Sequence, residues 1–445
     1  MRSEIVITGL GPVSSIGLGP EAFWESLCNG TCGVGPIELF DTAGFHVRLG
    51  GEVKDLKIRD FVPKSYRKAT KVMARDTELA VVAAKIAAED AGLKTRGDED
   101  DTQGDEIQAS RVGCQIGAGL IAAETEELAR AVVHAQDADG QFSMPMWGTE
   151  GEGAAGMNNL PPLWLLKYLP NMLACHVTII HGLEGPSNTL MGAEASAILS
   201  IGESARVIER GSADVCFTGG AESRLNQLGL IRCEYAGRAT KSSIDEDPGE
   251  ICKPFQPESR GGIIGESGGM LVIESAEHAQ NRGAKIYARI TGFGAAQTPR
   301  PYIPSASELR AHDEIDRGLA AAIRHAMKDA GVSSNEIDAV FCLGAGQPTL
   351  DDMESGALTD ALGENAGNIP HVTIAHQTGN TLAGHAGLMT IAAALSISKQ
   401  TLPLGSVMKH GEGFADRSGG ALKRVLVCTG SLGGQAGALI LETPL

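Results

Sequence analysis

Short β-branched runs closed by glycine alternate with alanine-rich helical patterns along the 445 residues, and the alternation is played through twice. EIVITG (4–9), RVGCQIG (111–117) and ADVCFTGG (213–220) read as buried strands, while 77–91 and 193–209 carry the apolar spacing of helices. A chain that orders its elements in this way folds as an α/β protein, with helices layered on a sheet. In the first half the helix TELAVVAAKIAAEDAG (77–92) leads to the strand RVGCQIGAG. In the second, LAAAIRHAMKDAG (319–331) leads to IDAVFCLGAG (337–346). Both helices end in Asp-Ala-Gly, which places Gly92 and Gly331 as left-handed caps. A second echo pairs the small-residue helix that starts near Gly192 with one that starts near Thr381. An internal duplication explains both echoes.

The glycine content, 58 residues, is about twice the usual share and suits close packing of helices on strands. Aromatic residues make up 4% and the formal charge is −18, which argues against a nucleic-acid or anionic-membrane partner. The nine cysteines form no CxxC pair and no zinc-type cluster with histidine, so reduced cytoplasmic thiols are expected, with no metal and no cofactor. No basic and apolar leader precedes the first strand. The longest apolar stretch, 381–398, contains His385 among Ala, Gly, Ser and Thr, so it is expected to be a buried core helix rather than a membrane span. Two segments interrupt the rhythm and read as surface insertions: the acidic 96–110, and 137–162, expected to be an ordinary surface loop, with a lid or contact patch formed by Met144, Met146, Trp147 and Met157 as the alternative. The opening VITGLGPVSSIG has the wrong glycine spacing for a dinucleotide loop, since Gly9 and Gly11 are followed only by Gly17.

That opening, with FWESLCNGTCGVGPIELFDTAGF (23–45), is similar to the N-terminus of an elongating β-ketoacyl-[acyl carrier protein] synthase. Four further blocks follow in the family's order: NMLACHVTIIHGLEGPSNTLMGAEASA (171–197), ARVIERGSADVCFTGGAES (205–223), KPFQPESRGGIIGESGG (253–269) and GSLGGQAGALILE (430–442). The resemblance implies a thiolase-like fold, five layers αβαβα built from two duplicated halves, with an N-terminal half over 1–280 and a C-terminal half over 281–445.

Family chemistry needs a cysteine at the start of a buried helix, two histidines and a supporting lysine. Aligning GPS (185–187) and IGESARVI (201–208) without a gap puts Glu194 at the cysteine position. An acyl-glutamyl anhydride is too easily hydrolysed to serve as an acyl carrier. By resemblance the first histidine position falls on Leu343, the lysine on Ala375 and the second histidine on Asn380. The terminal glycine turn becomes Ser431-Leu432-Gly433-Gly434, so the oxyanion-hole N–H groups would come from Leu432 and Glu194. His376, His385 and His371 lie near the lost positions, with His376 the candidate substitute base. A carboxylate at a helix N-terminus also has a plain structural use, filling the old oxyanion hole.

Relatives without the cysteine include the chain length factors, which pair with an active ketosynthase and commonly carry glutamine at this position. The resemblance therefore implies a non-catalytic subunit in fatty acid or polyketide-type biosynthesis, dimerising across 184–191 with Met191 near the partner's pocket and meeting acyl carrier protein through the complex. Two alternatives stand beside it: a diverged acyl-thioester enzyme, acyltransferase or decarboxylase, using Glu194, and a homodimer that binds acyl chains.

Overall fold

The computed structural model describes residues 3–98, 107–148, 155–298, 315–408 and 421–444. One sheet runs through the described residues, built from β1 (Ile5–Ser14), β2 (Val112–Ala118), β3 (Ser187–Leu190), β4 (Val215–Ser223), β5 (Glu266–Ser275), β6 (Ala288–Gln297), β7 (Ala339–Phe341), β8 (His371–Val372), β9 (Val407–Met408), β10 (Arg424–Gly430) and β11 (Gln435–Glu442). Their order is β9-β8-β7-β10-β11-β6-β1-β5-β4-β2-β3, with the short strand Gly17–Leu18 added on β1. The duplication is plain in the pairing. From the central antiparallel β1–β6 contact, Ile5 opposite Ile290, each half runs outward through two antiparallel and then two parallel pairings, and the C-terminal half adds the short antiparallel pair β8–β9 at its edge.

Five helices complete the layers: α1 (Arg75–Asp90), α2 (Ser196–Glu209), α3 (Arg317–Ala330), α4 (Pro348–Leu362) and α5 (His385–Lys399). The first packs its Ala80, Ala83 and Ala87 on the N-terminal half of the sheet. Helices α2 and α5 lie between the two halves, where Ile198, Ile201, Leu388 and Ile391 join strands of both in one core. On the far face α3 and α4 cover the C-terminal half. The result is the expected thiolase-like αβαβα arrangement. Helix α5 is buried along 385–397, as a core helix should be. No helix among the described residues is long and apolar enough to cross a membrane.

Several local expectations change. Strand β1 continues to Ser14, and Gly9 and Gly11 lie inside it because any Cβ there would overlap carbonyls of α1, which gives the GxG a packing role. The strand expected over 337–346 stops at Phe341. Gly344 (φ 49°) and Gly346 (φ 71°) take the chain out of the ladder, and Leu343 sits on the resulting loop. Gly92 (φ 63°) and Gly331 (φ 69°) are left-handed, as the repeated Asp-Ala-Gly predicts. Of the insertions, 99–106 and 149–154 lie outside the described residues. The rest of 137–162 is largely exposed apart from the buried Ala155 and Gly156, with a short helix, Met144–Gly148, and a Phe142–Trp147 ring contact at 5.9 Å.

Candidate functional site

The second echo in the sequence becomes a pair of matching turns. Strand β3 leads through Gly192 into a 3-10 turn, Ala193–Ala195, that opens α2. A second 3-10 turn, Leu382–Gly384, opens α5. In each the first residue is left-handed without being glycine, Ala193 at φ 49° and Leu382 at φ 50°. In each, the backbone N–H just before the turn donates to the side chain that starts the helix: Gly192 to Ser196 Oγ at 2.8 Å, and Thr381 to His385 Nδ1 at 3.4 Å. Glu194 and Ala383 are the corresponding central residues.

Glu194 is 2% exposed. A carboxylate at that depth needs a partner, and the partner is Arg238, on the loop that follows the helix Gln227–Tyr235 and the left-handed Gly237. The guanidinium Nη1 donates to Glu194 Oε1, and the Arg238 side chain is 13% exposed. Burial pushes Arg238 down to about 10, which leaves it protonated at neutral pH. Asn380 Nδ2 also donates to Oε1, at 3.3 Å. Asn380 is itself pinned: its N–H donates to Ile263 O at 2.7 Å, and its Oδ1 accepts from Leu382 N–H at 2.9 Å, tying Glu194 to the twin turn. Glu194 Oε2 has no protein partner among the described residues.

Beside Glu194 lies a cavity of about 20 Å3, bordered by Leu343, Leu432, Ser431, Asp351 and Glu354. It has room for a single water. Leu343 and Gly344 N–H groups both donate to Glu354, each at 2.9 Å, while Asp351 Oδ2 accepts from Phe255 and Gly346. Burial pushes Glu354 up to about 8 and Asp351 up to about 7.

The structure thus gathers four of the positions singled out in the sequence. Glu194, Leu343 and Leu432 share the cavity, and Asn380 bonds to Glu194. Ala375 is buried at the start of the turn Ala375–Thr378 and does not line that cavity. His376 does not line it either: it borders a separate cavity of about 390 Å3 with Cys32, Asp247 and Lys253. His385 is fully buried and pushed down to about 3 by that burial. Met191 is 53% exposed at the end of β3.

Sequence reading missed both cations. Arg238 has no motif around it, and a second buried pair, Arg224 with Glu222, holds the twin turn, where Glu222 Oε2 accepts from Ala383 N–H at 2.9 Å. The only available signal was chemical, since a buried glutamate implies a cation somewhere.

Two family models cover most of the chain: β-ketoacyl synthase, N-terminal domain, over residues 2–279, and β-ketoacyl synthase, C-terminal domain, over 287–406. The chain belongs to the β-ketoacyl synthase family. Among curated family members it is 33% identical to 3-oxoacyl-[acyl-carrier-protein] synthase 2 of Staphylococcus aureus (strain COL), over 89% of this chain and 86% of that one. It is 29% identical to the synthase of the same name from Synechocystis sp., over 90% and 87%. A solved β-ketoacyl synthase relative, the ishigamide ketosynthase/chain length factor, superimposes with a TM-score of 0.77 at 26% identity, covering all of both chains.

Proposed function

We propose that this β-ketoacyl synthase homologue is a non-catalytic, chain-length-factor-like subunit that pairs with an active ketosynthase in fatty acid or polyketide-type synthesis. The observation that carries the reading is the state of the nucleophile position. A thiolate there would need an open approach for an acyl thioester and a base or electrophile beside it. Instead Glu194 is locked to Arg238 and Asn380, next to a cavity that admits one water and is bordered by Leu343, the residue on which the resemblance puts the first histidine position. The ion pair and the Asn380 bond hold Oε1 and favour the ionised carboxylate, which weakens Glu194 as a general base, and His376 borders a different cavity; both observations count against the enzyme alternative.

Pairing is supported by the sheet edge. Strand β3 bonds to β2 on one side and to no strand among the described residues on the other. It carries Ser187, Asn188, Thr189 and Leu190, with no proline or charge to discourage a further strand. Among the described residues, ten of the fifteen exposed large apolar side chains lie between residues 120 and 191, and one of them, Met191, directly follows this strand. A partner with the same architecture offers a matching edge. The net charge of −18 favours a less acidic chain over a second copy and leaves carrier-protein docking to the partner.

The test is co-expression with intact ketosynthases from the same genome, then purification and assay with acyl and malonyl carrier thioesters. A stable complex in which only the partner is acylated is expected. A chain that stays a homodimer beside every such partner, or that condenses alone, would refute the reading.

A further inference from the structure

We propose that Arg238, Asn380 and the turn opening α2 form a binding site for a small free carboxylate, which the chain fills with its own Glu194. The two donors that hold Glu194 are those that recognise a carboxylate, a guanidinium and a side-chain amide, and they meet it at the turn that opens α2. Asn380 is buried and pinned by its own backbone and side-chain bonds, and the Arg238 side chain is only 13% exposed, so both donors are held in place before any ligand arrives. Glu194 Oε2 is a buried oxygen without a partner among the described residues, and the cavity of about 20 Å3 borders the same residue, so the occupant leaves space that a free ion could use.

The chemistry limits the ligand. Phosphate or another dianion would sit against Asp351 and Glu354 across that small cavity, and a monoanion is the better fit. Replacing Glu194 by alanine removes Cγ, Cδ and both carboxylate oxygens, which together have the shape of an acetate ion. Formate fits with room to spare. Butyrate carries two methylenes too many, and they would run into the alanine Cβ and the helix start.

This site also accounts for glutamate rather than glutamine. An uncharged amide would leave Arg238 buried without an anion. No partner chain is needed for the inference, so its failure would leave the pairing reading to its own co-purification test.

The experiment uses the full-length Glu194→Ala chain, unfolded thermally in sodium acetate and in sodium chloride at matched ionic strength and pH 7. If acetate binds with a dissociation constant of ~10 mM, 100 mM acetate raises the midpoint by ~1.5 °C in a chain of this size. Formate gives a shift, and butyrate none. The native chain, Glu194→Gln and the double variant Glu194→Ala/Arg238→Leu show no difference between acetate and chloride. Equal midpoints in the two salts for Glu194→Ala, with circular dichroism showing it folded, would overturn the proposal, as would an equal shift in the double variant. If Glu194→Ala is insoluble in chloride, recovery of folded protein in acetate supports the site, and recovery in neither salt counts against it.

Discussion

Glu194→Gln changes one atom and removes one charge. The glutamine oxygen can still accept from Asn380 Nδ2, so the main loss is the anion facing Arg238. Removing one partner of a buried ion pair costs about 3–5 kcal/mol, because the other charge stays out of water and unpaired. The two side chains here are 2% and 13% exposed, which leaves little solvent to screen the loss. Unfolding entropy of about 2.1 cal/mol/K per residue over 445 residues is about 0.9 kcal/mol/K, so a loss of 3 kcal/mol lowers the thermal midpoint by about 3 °C. Arg238→Leu should cost a similar amount by stranding Glu194. The double variant Glu194→Gln/Arg238→Leu should recover much of it, with a coupling of about 2–4 kcal/mol in a double-mutant cycle. Differential scanning calorimetry or denaturant unfolding at 50 and 500 mM salt measures all four proteins, and the coupling should hardly change with salt. Additive single effects, or a Glu194→Gln chain as stable as the native one, would refute the argument that the pair is a closed electrostatic unit.

Other outcomes follow from the same geometry. Glu194→Cys should yield no condensation product from acyl and malonyl carrier thioesters, because Leu343, Ala375 and Asn380 still stand where the resemblance implies the histidines and lysine; mass spectrometry of the carrier reads the outcome. Asp351 is raised from 3.8 to about 7, so the folded state holds a proton that the unfolded state releases, and stability falls as pH rises from about 4 to about 7. Full titration of that group alone would correspond to about 4 kcal/mol, and Asp351→Asn, which keeps the acceptor for Phe255 and Gly346 N–H, should flatten the slope in pH-dependent unfolding. Thr189→Pro on the open edge of β3 should abolish pairing with a ketosynthase, or reduce any self-association, in light-scattering measurements while leaving the chain folded.

The layered fold was legible because its causes are local. Gly92 and Gly331 mark two equivalent helix ends, and the small-residue starts near Gly192 and Thr381 mark two equivalent turns, so the duplication could be read from residue types alone. Glu194 could be placed for the same reason, by spacing from its neighbours. The rest depended on contacts between distant segments. Arg238 lies 44 positions from Glu194 in a loop with no periodicity, and nothing in EYAGRATKSS announces that its guanidinium turns inward. The strand expected over 337–346 failed because apolar composition cannot show that Gly344 and Gly346 take left-handed angles. His376 looked adjacent to the site in sequence, yet a short turn, Ala375–Thr378, sends it to another cavity.

The twin turns carry a consequence for the wider family. A non-glycine residue in the left-handed region costs about 1 kcal/mol or more, and such a cost at a reaction centre is easily taken as strain kept for catalysis. Here the same angle recurs at Leu382, at the start of α5, where the corresponding central residue is Ala383, which has no side-chain chemistry. The angle therefore belongs to the way this architecture launches its middle helices, whatever residue comes next. The bend at Ala193 therefore does not depend on the side chain of Glu194, and an intact bend in a homologue is no sign of turnover until the side chains around it have been read.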